Sequence, residues 1–183
     1  MGKITFILGG ARSGKSTYAL RLAKEGNKKV AFIATCIPCD KEMKERIELH
    51  KKKRPSHWHT FEESNNVELL LKKIGAEFNI IIIDCLTLLI SNLLSEGLSD
   101  SAIENRINKM LAMLRLKKSK AIIVSNEVGL GIVPKNRLAR RFRDLAGRLN
   151  QAIAKEADEV FFMVSGIPAR IKACLAGRQG GKR

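Results

Sequence analysis

Residues 3–24 read as an apolar strand, a glycine-rich turn and a helix, and no other feature of the chain limits its fold as tightly. The run Ile4, Phe6, Ile7 and Leu8 has the length and composition of a buried strand, and Ser16 to Ala23 contains no helix breaker. Between them, Gly9-Gly10-Ala11-Arg12-Ser13-Gly14-Lys15-Ser16 matches G-x-x-x-x-G-K-S/T at every fixed position. The strand and helix that this motif requires on either side are both present. Glycines let backbone N–H groups turn inward around phosphate oxygens. The following helix presents the positive end of its dipole, and Lys15 adds a mobile charge. The Ser16 hydroxyl is of the type that holds Mg²⁺. These residues predict a P-loop NTPase with a nucleotide as ligand.

The rest of the chain extends that reading to an α/β fold. Strand-like apolar runs at Ile4–Leu8, Val30–Thr35, Ile80–Asp84, Ala121–Ser125 and Val160–Val164 alternate with helical patterns, which predicts a mainly parallel sheet wound by helices. The clearest helix runs from Asn136 to Ala157, where Leu138, Phe142, Leu145, Leu149 and Ile153 step by three or four. Its arginines, Arg137, Arg140, Arg141, Arg143 and Arg148, fall mostly off that face and read as a solvated basic surface. A second helix, Ser99 to Leu116, has Ser99 as its N-cap. At 183 residues the chain suits one domain. Residues 1–168 are expected to form it, and 169–183 to be a basic, frayed tail.

Composition excludes several classes. No apolar stretch approaches the roughly 20 residues that span a bilayer, and the N-terminus enters a strand too soon for a signal sequence, so a cytoplasmic location is expected. Four cysteines give no disulfide framework in a chain of this size. Cys36-Ile37-Pro38-Cys39 has the spacing of a redox pair, but a zinc site would need two more ligands, and His50, His57 and His59 do not form a second pair of standard type. A net charge of +16 suits a polyanion such as nucleic acid as well as nucleotide chemistry. Aromatic content of 5% leaves few stacking platforms for single strands, so no nucleic-acid partner is expected.

Two further positions carry chemistry. Asp84 closes an isoleucine run at the carboxyl edge of the sheet, where open α/β sheets bind ligands, and reads either as the Mg²⁺-side acid or as a cap for a helix at Leu86. His50 follows a helix that Asp40 is placed to cap, and shares a face with Met43 and Ile47, the pattern of a packed core residue. The four cations that follow it, Lys51 to Arg54, disfavour imidazolium and would attract a triphosphate. A neutral imidazole there is able to attack phosphorus and form a covalent intermediate.

The chain resembles the bifunctional adenosylcobinamide kinase / adenosylcobinamide-phosphate guanylyltransferase family from Ile4 to about Pro168. The matching stretches include the phosphate loop, Ile33-Ala34-Thr35, Arg46-Ile47 with His50-Lys51 and Arg54-Pro55, and Asp84-Cys85-Leu86-Thr87 with Ser91-Asn92-Leu93-Leu94. Further matches are Ser125-Asn126-Glu127-Val128-Gly129-Leu130-Gly131-Ile132-Val133-Pro134, Asn136 to Arg140, Phe142-Arg143-Asp144, Asn150-Gln151 and Ser165-Gly166-Ile167-Pro168.

The resemblance implies a RecA-like fold and a homotrimer acting on adenosylcobinamide and its phosphate. It implies phosphorylation of adenosylcobinamide by ATP or GTP, then transfer of GMP from GTP through a histidine at the position of His50, with Mg²⁺. It also implies nucleotide contacts at Ala34, Thr35, Cys36, Lys51, Lys52, Lys53, Arg54, Glu62 and Asp84, beside those of the loop. The chain departs from the family in having Leu49-His50 where relatives often have two histidines. Some relatives perform one reaction only, so a guanylyltransferase alone is an alternative. A RecA-like nucleic-acid ATPase and a non-enzymatic GTP switch are further ones.

Overall fold

The computed structural model describes residues 2–24, 28–38, 40–74 and 76–173. One seven-stranded sheet runs through them in the order β3-β2-β4-β5-β1-β6-β7. The strands are β1 (Ile4–Gly9), β2 (Val30–Ala34), β3 (His59–Glu62), β4 (Ile80–Asp84), β5 (Lys120–Val124), β6 (Glu159–Val164) and β7 (Ile167–Lys172). All neighbours pair parallel except β6 and β7, which form an antiparallel hairpin.

The isoleucine runs are continuous rather than alternating because both faces of the sheet are covered. Ile81 and Ile83 of β4 point into a cluster with Val67, Leu89, Ile107, Leu149 and Ile153. Ile80 and Ile82 point the other way, toward Tyr18, Ala19 and Trp58. The first face carries α3 (Val67–Lys73), α4 (Leu86–Ser95), α5 (Asp100–Leu116) and α6 (Arg137–Glu156); the second carries α1 (Lys15–Ala23). Each fully buried isoleucine contributes about 1.5–3 kcal/mol relative to an exposed one, so the central strands tolerate little change.

The helix ends follow their sequence signals. Ser99, Asn136 and Asp40 each accept a backbone N–H three residues on, from Ala102, Ala139 and Met43 at 3.3, 3.1 and 2.7 Å. The last of these starts α2 (Lys41–Lys52).

The structure departs from the sequence pattern in several places. Residues 169–172 are not a frayed end: they belong to β7, which pairs with β6, and Pro168 sits on the open edge, where its missing N–H breaks no ladder. Residues 174–183 lie outside the described residues. β3 lacks an apolar run because it is the opposite edge and its side chains are largely exposed. The α6 arginines are not simply solvated: Arg141 and Arg148 grip Asp100 of α5 at 2.7 and 2.6 Å, and Arg148 also holds Glu104 at 3.0 Å. Leu138, by contrast, is 57% exposed and stays outside the core.

Candidate active site

The parallel strands bring four chain segments to one edge. The phosphate loop leaves β1 there, Thr35 follows β2, Asp84 ends β4, and Asn126 follows β5. Two further backbone bonds extend the pairing beyond β5, Ser125 N–H to Ile7 O at 2.9 Å and Glu127 N–H to Gly9 O at 3.0 Å. Helix α2 lies over this edge, and between them is a cleft of about 650 Å³.

The loop is shaped by its glycines and by the β6–β7 turn. Gly9 has φ 150°, and a Cβ there would lie 2.6 Å from Met163 O and 2.7 Å from Ser13 Oγ, so a side chain does not fit. Gly14 has φ 95° and begins α1, while Gly166 N–H donates to Ser13 O at 3.0 Å. Lys15 is buried, and its ammonium donates to Gly10 O at 2.6 Å. Burial lowers its pKa, opposed by the neighbouring Cys85 and Asp84.

Asp84 is the acid of the cleft. Burial raises its pKa; a hydrogen bond from Ser16 works against this, as do His50, Arg54 and Lys15. It does not cap α4: the N-cap is Cys85, which makes no side-chain cap bond. The Asp84–Cys85 segment is tied down by Thr35, whose Oγ1 donates to Cys85 O at 2.7 Å and accepts from Cys85 N–H at 2.8 Å. Burial pushes the Cys85 thiol up to about 11, which keeps it protonated and inert.

His50 stands in the last turn of α2, and Met43 and Ile47 share its face. That face lines the cleft and is not packed into the core, so the helical spacing seen in the sequence marks a site wall. Lys51 bonds Glu62 at 2.7 Å and Glu48 at 3.3 Å. Arg54 stacks its guanidinium 3.7 Å over the Phe32 ring. Its Nη1 is buried without a hydrogen-bond partner, and burial lowers its pKa despite the nearby Asp84 and Glu62. Six cations, Arg12, Lys15, Lys44, Lys51, Lys53 and Arg54, face three carboxylates, Glu48, Glu62 and Asp84. Such an excess inside a recess suits a polyphosphate.

Most of the sequence-derived site residues meet here. Ala11 to Ser16, Ala34, Cys36, His50, Lys51, Lys53, Arg54, Glu62 and Asp84 line the cleft. Gly9 and Gly10 do not line it, although Gly10 O accepts from the Lys15 ammonium. Thr35 is fully buried with its hydroxyl spent on Cys85, so it acts on the site through Asp84's strand end. Lys52 is exposed and points elsewhere. Cys39 lies outside the described residues, and among those described no three His, Cys, Asp or Glu side chains gather around a metal position. His57 is exposed, and the His59 ring packs edge-on against Phe78 at 5.3 Å. Sequence reasoning missed Lys44, Leu88 and Asn126 as wall residues. For Asn126 a signal existed: it follows an apolar strand as a polar residue, the pattern that marks Asp84.

A family model described as cobinamide kinase / cobinamide phosphate guanyltransferase matches residues 5–171. The chain is 41% identical over 178 residues to the bifunctional adenosylcobalamin biosynthesis protein CobU of Salmonella typhimurium, covering 91% of this chain and 98% of that protein. It is 39% identical to the Escherichia coli protein of the same name, with the same coverage. It is 43% identical over 168 residues to CobP of Pseudomonas aeruginosa, covering 91% and 95% of the two chains.

Proposed function

Since the chain belongs to the cobinamide kinase / cobinamide phosphate guanyltransferase family, we propose that this cleft serves both reactions, with His50 as the residue that carries GMP. The chain is an enzyme of cobalamin biosynthesis, a kinase and guanylyltransferase of that family. The substrates of this reading are adenosylcobinamide and its phosphate, with GTP or ATP as phosphoryl donor and GTP as GMP donor. The observation that carries it is the shared wall: His50 on α2 faces the same recess as Lys15, Ser16 and Asp84.

In the kinase step, the aminopropanol hydroxyl attacks the γ phosphorus while the β–γ bridging P–O bond breaks. The nucleoside diphosphate takes the electron pair, and the hydroxyl proton goes to water. Positioning and charge neutralisation do most of this work, and the loop amides with Lys15 supply both. In the transfer step, a ring nitrogen of His50 attacks the α phosphorus of GTP. Pyrophosphate leaves with the electron pair, stabilised by the loop and Arg54. A phosphate oxygen of adenosylcobinamide phosphate then displaces the histidine, giving adenosylcobinamide-GDP and freeing the ring.

Ser16 and Asp84 fit a hard divalent cation, since a hydroxyl and a carboxylate, hydrogen-bonded to each other, present oxygens side by side at the cleft wall. Mg²⁺ held by them would supply charge neutralisation for the phosphates.

We also read the assembly as a homotrimer, as the resemblance implies. Supporting it are Leu130, Ile132, Val133 and Leu138, which are 57–96% exposed in one stretch of chain. No helix among the described residues is long and apolar enough to cross a membrane.

The deciding experiment is incubation with α-labelled GTP and Mg²⁺. Label is expected on residue 50, base-stable and acid-labile, and adenosylcobinamide phosphate should discharge it. The His50→Ala variant should take up none while keeping its Tm; persistent labelling of that variant removes His50 from the mechanism.

A further inference from the structure

Asn126 is held at the cleft wall by three hydrogen bonds, two from its backbone and one from its side chain. It follows β5, which lies between β1, carrying the phosphate loop, and β4, carrying Asp84. Its backbone is fixed from two sides. Its N–H reaches Thr87 Oγ1 at 3.4 Å, and its carbonyl accepts from Asn150 Nδ2 at 3.2 Å. Asn150 is buried and is itself set by Ser125, whose hydroxyl donates to Asn150 Oδ1 at 2.8 Å. The Asn126 side chain donates one amide hydrogen from Nδ2 to Thr87 Oγ1 at 3.2 Å. Thr87 is buried on α4 and contacts Cys85 Sγ at 3.2 Å. That bond restrains the rotation of the carboxamide. One N–H is committed to the protein, and the second N–H and Oδ1 are left to the cleft that Asn126 lines.

We propose that Asn126 binds the terminal phosphoryl group of the nucleotide and orients it for transfer in the kinase step. The second amide hydrogen donates to an oxygen of that group, and Oδ1 accepts from the attacking hydroxyl until its proton passes to water. An amide suits the position because it presents a donor and an acceptor side by side and adds no charge. A carboxylate there would repel the phosphate, and a lysine could not accept from the hydroxyl. Thr87 and Asn150 are positioning residues, since they touch Asn126 and act through it. The proposal rests on the two-reaction reading of the cleft but concerns only the γ end of the nucleotide. GMP transfer to His50 occurs at the α phosphorus, and the terminal phosphates leave together as pyrophosphate, so that half-reaction depends much less on Asn126.

The test compares Asn126→Ala with wild type by two readouts. The first is calorimetric binding of GDP and of the β,γ-imido analogue of GTP, which reports contact with the terminal group without turnover. The preference of wild type for the triphosphate analogue should shrink about tenfold in the variant while GDP affinity holds. The second is kcat for phosphorylation of cobinamide at saturating nucleotide, expected to fall about 100-fold or more, while the nucleotide KM rises only by the roughly tenfold lost in binding. Labelling of residue 50 at saturating GTP should fall less than about fivefold. Thr87→Val, which frees the amide to rotate, should give an intermediate loss of kcat at unchanged GDP affinity. An unaltered triphosphate preference in Asn126→Ala overturns the proposal. So does an equal loss of both half-reactions with lowered GDP affinity, which is the signature of a merely structural residue. A wild-type protein that neither phosphorylates cobinamide nor takes up GMP refutes the parent reading instead, and the binding comparison still decides the role of Asn126.

Discussion

Replacing Arg54 by Met should separate nucleotide binding from folding. In the folded protein the guanidinium lies 3.7 Å over Phe32, and its buried Nη1 has no hydrogen-bond acceptor. The stacking is worth about 0.5–2 kcal/mol. The orphaned donor costs about 1–3 kcal/mol, because its hydration is lost without replacement. Met keeps much of the apolar contact with Phe32 and removes the orphan, so the two terms nearly cancel. At about 2–4 °C per kcal/mol for a chain of this length, the nucleotide-free Tm should stay within about 4 °C of wild type. With nucleotide bound the balance changes. A phosphate oxygen accepting from the buried Nη1 makes a charge-assisted bond of about 1.5–3 kcal/mol, so its loss should weaken GTP binding by about 10- to 150-fold. Differential scanning calorimetry without nucleotide and isothermal titration with GTP measure the two sides. A variant that unfolds more than about 10 °C early yet binds GTP like wild type would show that Arg54 is a structural cation, and the reasoning would fail.

Asp84→Asn should lose both activities yet melt higher than wild type without nucleotide. Burial raises the folded-state pKa of Asp84 above its unfolded value. The folded protein therefore holds the neutral form more readily, and wild type loses stability as pH rises through that folded pKa. The variant's Tm advantage should be absent near pH 3 and present at pH 7; a variant less stable than wild type at pH 7 contradicts this. If the proposed homotrimer forms, Leu130→Ser with Ile132→Ser should convert it to monomer in sedimentation equilibrium; wild type sedimenting as a monomer at micromolar concentration would dispose of the trimer.

Much of the site was legible because its chemistry is local. The phosphate loop needs eight adjacent residues of fixed type, and Asp84 is marked by the apolar run before it. His50 was ambiguous. Its spacing with Met43 and Ile47 is the same whether a helix face meets a core or a cleft, and only the packing of α2 tells which. Thr35 was assigned to the nucleotide by resemblance, but the pairing of β2 with β4 sets its hydroxyl against Cys85. β3 and β7 escaped notice for a related reason. Edge strands are covered on fewer sides and need no continuous apolar run, so their sequences do not announce them.

The amino-acid order alone determined the local geometry of this protein: the strand, loop and helix around Lys15, the capped helices, and the apolar runs that must be buried on both faces. These depend on contacts between residues a few positions apart, which sequence spacing encodes directly. The strand order, the pairing of Arg141 and Arg148 with Asp100, and the meeting of His50, Asp84 and Asn126 at one cleft were decided only by the tertiary structure. Those contacts join residues tens of positions apart. They exist only because the sheet aligns its carboxyl ends and packs α5 against α6, conditions that no single segment contains.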